Sequence, residues 1–373
     1  MEHHKRGCRA VRETLLQYLA CPECGAASLT LTSFSTEGDV ISAGRLACGS
    51  CLRLYPIIEG VPRLLPDGLM GALPAYYPDF FRRWDGALPP VQDDQVARTL
   101  AFYSYARAKL FTDAPTPQLT AYWRQSLETR IPGIAELRGQ VGLDAGCGEG
   151  RYTYCLAQAG ASVIGLDLSC AVDLAQRRNG ANPRAHIVQG SIYQPPLRRE
   201  ALDFVVSTGV LHHLPDPEAG FAALTPLLRP GGTARLWVYG LRQMSLVYRL
   251  SHLTLLHHLA RGLSPRDSYR ASVPIAVALE LLLFQPGRLL AGTRYRERIP
   301  TQLRELAALP FGMRVAEVQD RIGVPVTYYL TSDELRQWFE HAGLQDVLIE
   351  ATHGGRGWSA RGQRAPVDSR VPA

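Results

Sequence analysis

Three groups of residues have types and spacings that could do chemistry. Cys21-Pro22-Glu23-Cys24 and Cys48-Gly49-Ser50-Cys51 are two CxxC knuckles. Four thiolates on paired turns make a closed tetrahedral site, because the CxxC spacing lets both sulfurs of one tight turn reach one metal while turn amides point at the sulfurs. No fifth ligand suggests an open position, so the expected ion is a structural Zn2+ that stabilises the fold and performs no reaction. The second group, Asp144-Ala145-Gly146-Cys147-Gly148-Glu149-Gly150, is a glycine-rich turn. Its glycines permit positive φ and let a ligand lie against bare backbone. The third, Thr208-Gly209-Val210-Leu211-His212-His213, sets two imidazoles side by side in a loop. An imidazole titrates near neutral pH, which suits a general base.

Each group also has a plainer reading. The cysteines are disulfides or a redox pair in another setting, a GxGxG run is shared with nucleotide dehydrogenases, and either histidine is equally suited to packing under its loop. The elements around the groups narrow the choice. Ahead of the second knuckle, Leu29–Leu46 reads as two strands joined by a Gly38-Asp39 turn. Val141-Gly142-Leu143 is a buried strand feeding the glycine turn, and Arg151–Ala159 is the helix after it. Ser162–Leu166 is the next strand and ends at Asp167, where an acid can accept two hydrogen bonds from ribose hydroxyls. Leu202–Ser207 is a fourth strand, Pro217–Leu228 a helix, and Thr233–Tyr239 a fifth strand behind the turn Leu227-Leu228-Arg229-Pro230-Gly231-Gly232. Short apolar runs alternating with helical patterns predict a parallel sheet covered by helices on both faces.

Asp144 ahead of the glycines, Asp167, the His212-His213 loop and the Arg229–Gly232 turn together resemble the class I S-adenosylmethionine-dependent methyltransferases. The resemblance is strong over 139–239 and looser over 331–363. It implies an α/β fold, a Rossmann-like seven-stranded sheet with helices on both faces. Asp144 and the backbone of Gly146, Cys147, Gly148 and Gly150 would then hold the amino-acid part of the donor, Asp167 its ribose, and Leu168, Ser191 and Ile192 its adenine. The family usually has an aspartate where Ser191 stands; a serine hydroxyl accepts the adenine amino group more weakly than a carboxylate. The His212-His213 loop would lie beside the transferred methyl. It carries neither the Asn/Asp-Pro-Pro-aromatic motif that grips a planar amino group nor a cysteine nucleophile for pyrimidine carbons.

The stretch around the knuckles, from Leu16 through Leu54-Tyr55-Pro56-Ile57-Ile58-Glu59-Gly60-Val61-Pro62-Arg63-Leu64-Leu65 to Pro66, resembles the small zinc-binding activator subunits of tRNA, rRNA and release-factor methyltransferases. That implies a zinc ribbon fused in cis to the domain it stabilises. A similar ribbon precedes bacterial rRNA guanine methyltransferases, where it contacts RNA.

The expected segments are 1–68, the zinc-ribbon module; 69–135, a connector rich in proline and aromatics with helices at Asp93–Phe111 and Gln118–Arg130; 136–240, the Rossmann core; 241–314, a helical insertion; 315–363, completion of the sheet; and 364–373, a flexible tail. Within the insertion, Leu246–Leu259 and Val273–Leu290 read as apolar helices, placed where class I enzymes for small molecules put an acceptor lid; such helices also form dimer or membrane-facing surfaces. Thr331 and Glu334 read as a capping box for a helix Ser332–Ala342, with strands Leu344–Glu350 and Gly354–Gln363 after it, the last antiparallel. Asp320 and Tyr328, in the stretch before that helix, are candidates for the acceptor pocket.

At 373 residues, with 46% hydrophobic and 20% charged residues, the chain is an ordinary globular protein of more than one module. No signal-peptide pattern follows Met1, and the apolar run Val273–Phe284 is interrupted by Glu280 and falls short of the roughly 20 residues of a spanning helix. A cytoplasmic enzyme without stable membrane insertion is the expectation, its oligomeric state undetermined. A net charge of +6 is a mild excess, to which Arg356, Arg361, Arg364 and Arg370 contribute. Three readings stay open: methylation of a small molecule or biosynthetic intermediate, methylation of RNA docked by the ribbon, and a non-catalytic donor-binding module.

Overall fold

The computed structural model describes residues 13–37, 40–91, 94–110, 115–240, 263–291, 307, 311–352 and 357–366. They fall into two compact units. The larger takes in the four-cysteine module, the connector outside 101–113, the Rossmann core and the closing strands; the smaller holds the described residues of 101–113 and 244–325.

In the larger unit a continuous sheet has the order β1-β2-β3-β4-β7-β6-β5-β8-β9-β11-β10. Strands β5 (Val141–Ala145), β6 (Ser162–Asp167), β7 (Ala185–Gly190), β8 (Leu202–Thr208), β9 (Leu228–Tyr239), β10 (Leu344–Thr352) and β11 (Gly357–Arg364) make the seven-stranded part. The strands from β7 to β9 are parallel, and β11 runs antiparallel between β9 and β10. The chain reverses between β5 and β8, which opens a crevice at the carboxyl ends of those strands. Both faces are buried with the alternation of a two-sided sheet. Phe204 and Val206 face one cluster with Leu156, Trp123 and Leu127, while Val205 faces the other with Leu143, Leu166, Val188, Leu335 and Phe339.

The four-cysteine module does not stand apart from this sheet. Its strands β1 (Leu29–Glu37), β2 (Val40–Cys48), β3 (Leu54–Ile58) and β4 (Val61–Leu64) form an antiparallel ladder, and β4 pairs in parallel with β7 through Arg63 opposite Gln189 and Leu64 opposite Gly190. The sheet thereby grows to eleven strands. Leu15, Leu19, Leu46, Leu64 and Leu65 share one core with Leu166 and Val188. Leu19 bridges to Leu197, and Arg198 donates to the carbonyls of Leu19 and Ala27.

Several boundaries differ from expectation. The helix at Pro217 ends at Leu224 and gives way to a 3-10 turn Thr225–Leu227, because Pro226 has no N–H to continue the helix. Arg229–Gly232, expected as a turn, belongs to β9 as an irregularity between the pairs Leu202–Leu228 and Phe204–Thr233, where Gly231 sits at φ +79°. In the smaller unit one helix runs Pro265–Leu279 with Pro274 inside it, followed by a π turn Glu280–Phe284 and a helix Gln285–Ala291, so the expected start at Val273 is eight residues late. A helix Phe311–Ile322 was not expected. The connector helices are Asp94–Leu110 and Pro117–Arg130, with Trp123 buried and Tyr103, Tyr105 and Tyr122 half-buried. The Gly38-Asp39 turn, Leu246–Leu259 and the arginines at 356 and 370 lie outside the described residues.

Candidate functional site

The glycine turn is held by its own geometry. Gly146, Gly148 and Gly150 take φ of +82°, +54° and +76°. A Cβ on Gly146 would fall 2.4 Å from Val210 Cγ1, and one on Gly150 would fall 2.5 Å from Asn179 Nδ2 and 2.8 Å from Ala175 Cβ. A Cβ on Gly148 would meet nothing within 4 Å. Two of the glycines are therefore demanded by packing, and the third faces open space where a ligand can meet bare backbone. Gly146 and Cys147 donate to the Leu166 carbonyl, tying the turn to the end of β6, and the helix Arg151–Ala159 starts directly behind Gly150.

Acidic groups lie under and beside this turn. Asp144 is buried, and its Oδ2 accepts from Thr153 Oγ1 at 2.6 Å. Burial pushes its carboxyl up to about 6, against the opposing pull of the Thr153 hydroxyl. Asp167 closes the turn from the next strand: its Oδ2 accepts from Gly148 N–H at 2.8 Å, and its Oδ1 from the N–H and hydroxyl of Ser169 at 2.8 and 2.6 Å. On the adenine side, Leu168 is half-buried, Ser191 and Ile192 are buried, and Ser191 Oγ accepts from Tyr193 N–H at 3.2 Å. The structure thus brings all nine residues expected at the donor site to the ends of β5, β6 and β7.

The histidine loop follows β8 directly and lies on the glycine turn through Val210. Its two imidazoles are not equivalent. His212 is fully buried, stacked 3.9 Å from the Tyr239 ring, and burial together with the neighbouring His213 holds it well below the usual histidine range. Its Nδ1 accepts from the Tyr239 N–H at 3.4 Å, which places the proton of the neutral ring on Nε2. That Nε2–H meets no acceptor among the described residues. His213 has the opposite tautomer. Its Nδ1 is 3.1 Å from the Val326 carbonyl, which can only accept, so Nδ1 carries a hydrogen, and in the neutral ring Nε2 then holds the lone pair. Thr327 Oγ1 lies 3.2 Å from the same Nδ1, and Tyr328 N–H binds the His212 carbonyl, so the segment Val326–Tyr328 pins the loop. Tyr328 itself is exposed, its hydroxyl donating to the Pro215 carbonyl at 3.0 Å. Asp320 lies in the smaller unit.

At the other end of the same unit the sulfurs of Cys21, Cys24, Cys48 and Cys51 lie within 4.8 Å of one another. A tetrahedral zinc with bonds of about 2.3 Å requires sulfurs about 3.8 Å apart. The pairs Cys21–Cys51 and Cys24–Cys48 are at 3.6 Å, which fits that set. Around the sulfurs, Tyr55 Oη lies 3.1 Å from Cys21 and the Cys51 N–H points at Cys48.

Reasoning from sequence missed the residues that join the two sites. Arg63, 0% exposed, donates to Gln189 Oε1 at 3.0 Å, to the Ile58 carbonyl at 2.9 Å and to Asp173 Oδ1 at 2.5 Å. The one available signal was a charge inside the apolar run Val61–Leu65.

Comparison with known proteins agrees with this geometry. Residues 143–236 match the family model described as a methyltransferase domain. An uncharacterised protein of Synechococcus sp. is 31% identical over 214 residues, 54% of this chain and 46% of that protein. A tRNA U34 carboxymethyltransferase of Methylococcus capsulatus is 38% identical over 120 residues, 31% of this chain and 37% of the other. A ubiquinone biosynthesis O-methyltransferase of Cupriavidus pinatubonensis is 36% identical over 105 residues, 27% of this chain and 42% of the other. The chain spans less than half the length of each of these relatives. Strand order, glycine turn and family match together identify the Rossmann part of this chain as a class I S-adenosylmethionine-dependent methyltransferase domain, with a four-cysteine ribbon built onto its sheet.

Proposed function

We infer that this protein transfers the methyl group of S-adenosylmethionine to a hydroxyl or amine of a small molecule or biosynthetic intermediate, and that the ribbon binds a structural Zn2+. The donor is already activated as a sulfonium, so the protein has to align a nucleophile and exclude water. Asp144 and the turn amides suit the donor's amino-acid part, Asp167 its ribose, and Leu168, Ser191 and Ile192 its adenine. His213 Nε2 holds the lone pair that takes the acceptor's proton. His212, neutral, buried and protonated on Nε2, supports the loop and is no base.

The observation that favours a small acceptor over RNA is the charge of the ribbon. Over residues 1–68 seven Lys and Arg stand against seven Asp and Glu, so the ribbon carries no net positive charge. Among its described residues the three arginines are paired: Arg45 with Asp85, Arg53 with Asp67 and Arg63 with Asp173. A nucleic-acid dock needs unpaired cations gathered on one face. The similarity to a tRNA U34 carboxymethyltransferase supports the RNA reading, and that to a ubiquinone biosynthesis O-methyltransferase supports the small-molecule one.

The decisive experiment incubates the purified protein with methyl-labelled S-adenosylmethionine and a cell extract divided into RNA and low-mass fractions. Label is expected in the low-mass fraction, and label in RNA alone overturns the small-molecule reading. With the acceptor in hand, His213→Gln should lower kcat by about 10²- to 10⁴-fold and leave the affinity for S-adenosylhomocysteine unchanged. A rate unaffected by His213→Gln removes the base.

A further inference from the structure

We propose that Arg63, a residue of the ribbon, is a positioning residue for the methyl donor: its guanidinium clamps both ends of the segment 168–173, which follows the ribose acid Asp167 and opens on Leu168, expected at the adenine. The inference rests on the donor reading above.

The loop leaves β6 at Asp167 and re-enters regular structure at Val172, the first residue of the helix Val172–Asn179. Its start is held through a relay. Arg63 Nη1 donates to Gln189 Oε1 at 3.0 Å, and Gln189 Nε2 donates to the Leu168 carbonyl at 2.9 Å. Its end is held directly, because Arg63 Nη2 donates to Asp173 Oδ1 at 2.5 Å while the Tyr77 hydroxyl donates to Asp173 Oδ2 at 2.8 Å. Tyr77 also packs on Arg63, its ring centroid 4.6 Å from the guanidinium carbon. Nη2 donates as well to the Ile58 carbonyl at the end of β3, so the clamp is anchored inside the ribbon.

Two features mark this as more than an ion pair that glues two modules. A fully buried arginine bound only for stability needs a carboxylate, yet Arg63 spends one arm of its fork on a neutral amide whose other end reaches the donor loop. The register is also specific. Arg63 sits opposite Gln189 in the β4–β7 ladder, and Leu64 opposite Gly190, the residue before Ser191. The same two ladder pairs therefore fix Leu168, through the relay, and Ser191, through the strand. Both are residues expected at the adenine.

The amide is the part that can be tested without dismantling the module. Gln189→Glu keeps an oxygen for Arg63 and makes it a carboxylate, but removes the N–H that the Leu168 carbonyl accepts. Arg63→Lys keeps the charge and loses the fork, so one ammonium cannot serve Gln189 and Asp173 in the same geometry. Binding of S-adenosylhomocysteine to the full chain is measured by calorimetry well below the melting temperature, alongside the melting temperature itself and the zinc content. The expected result is affinity reduced about five- to tenfold in Gln189→Glu, with zinc content at the wild-type level and a melting temperature lowered only by the one buried hydrogen bond lost. Arg63→Lys should show the same loss of affinity, together with a lower melting temperature.

A Gln189→Glu protein that binds S-adenosylhomocysteine as tightly as wild type overturns the proposal. So does an Arg63→Lys protein that melts lower yet binds normally, since that is the signature of a purely structural arginine. If Arg63→Lys does not fold, Gln189→Glu decides alone. Wild-type protein that fails to bind S-adenosylhomocysteine overturns the donor reading instead, which separates the two failures.

Discussion

Buried beneath the glycine turn, the Asp144 carboxyl titrates at about 6 because burial disfavours its charge, with the Thr153 hydroxyl restoring only part of what water would supply. Its folded value lies above its unfolded value, so the folded state binds the extra proton between about pH 4 and 6. Stability is therefore highest below that window and falls as pH rises through it, by on the order of 2–3 kcal/mol at neutral pH. The ammonium group of the donor's amino-acid part would reverse this, since an adjacent cation favours the carboxylate. Two outcomes follow for the melting temperature between pH 4 and 7. Without donor, the wild-type protein should lose stability across the range and Asp144→Asn should not. With S-adenosylhomocysteine, the wild-type loss should shrink and the variant should gain little. Parallel curves for the two proteins would show that Asp144 ionises as an ordinary surface acid.

At the scale of the turn, the three glycines separate packing from binding. Ala at Gly150 must displace Asn179 and the Ala175 backbone as well as adopt a φ of +76°, so Gly150→Ala should destabilise the unit by about 2 kcal/mol or more. Ala at Gly148 meets nothing and carries only the left-handed backbone strain, about 1 kcal/mol. Gly148→Ala should thus fold and still lose S-adenosylhomocysteine affinity by tenfold or more, since its methyl enters the space left for the donor. Unchanged affinity in a folded Gly148→Ala protein would place the donor elsewhere. The turn was legible in sequence because glycine spacing reports backbone geometry directly, and so was the helix Ser332–His341, whose Thr331–Glu334 capping box is present in both directions. The helix Phe311–Ile322 was not, because its residues read beforehand only as a run ahead of that cap. Nor did adjacency show that His212 and His213 differ: their tautomers are set by Tyr239 and by Val326, more than 25 and more than 110 residues away in the chain.

Over the whole of the larger unit, the ribbon and the methyltransferase sheet share strands, core and a buried ion pair, so they should respond to metal as one body. The ladder between β4 and β7 contributes only two residue pairs. The stronger links are the common apolar cluster from Leu15 to Leu344 and the Arg63–Asp173 pair, with Arg63 at 0% side-chain exposure. Metal bound by four thiolates is folding free energy for the turns that carry them; the first of those turns precedes β1 and the second joins β2 to β3. Removing the metal with a strong chelator, or replacing Cys24 with Ser, should therefore lower the melting of the entire unit and weaken S-adenosylhomocysteine binding, although none of the four ribbon cysteines is near the glycine turn in sequence. Calorimetry distinguishes this from a ribbon that merely hangs on the enzyme. A shared core predicts that the transition of the larger unit moves down as a whole. An independent ribbon predicts that chelation deletes a small transition of its own and leaves the donor-stabilised one in place. The second outcome would also uncouple the Arg63 clamp from the metal, because a ribbon that melts alone while donor binding persists cannot be holding loop 168–173.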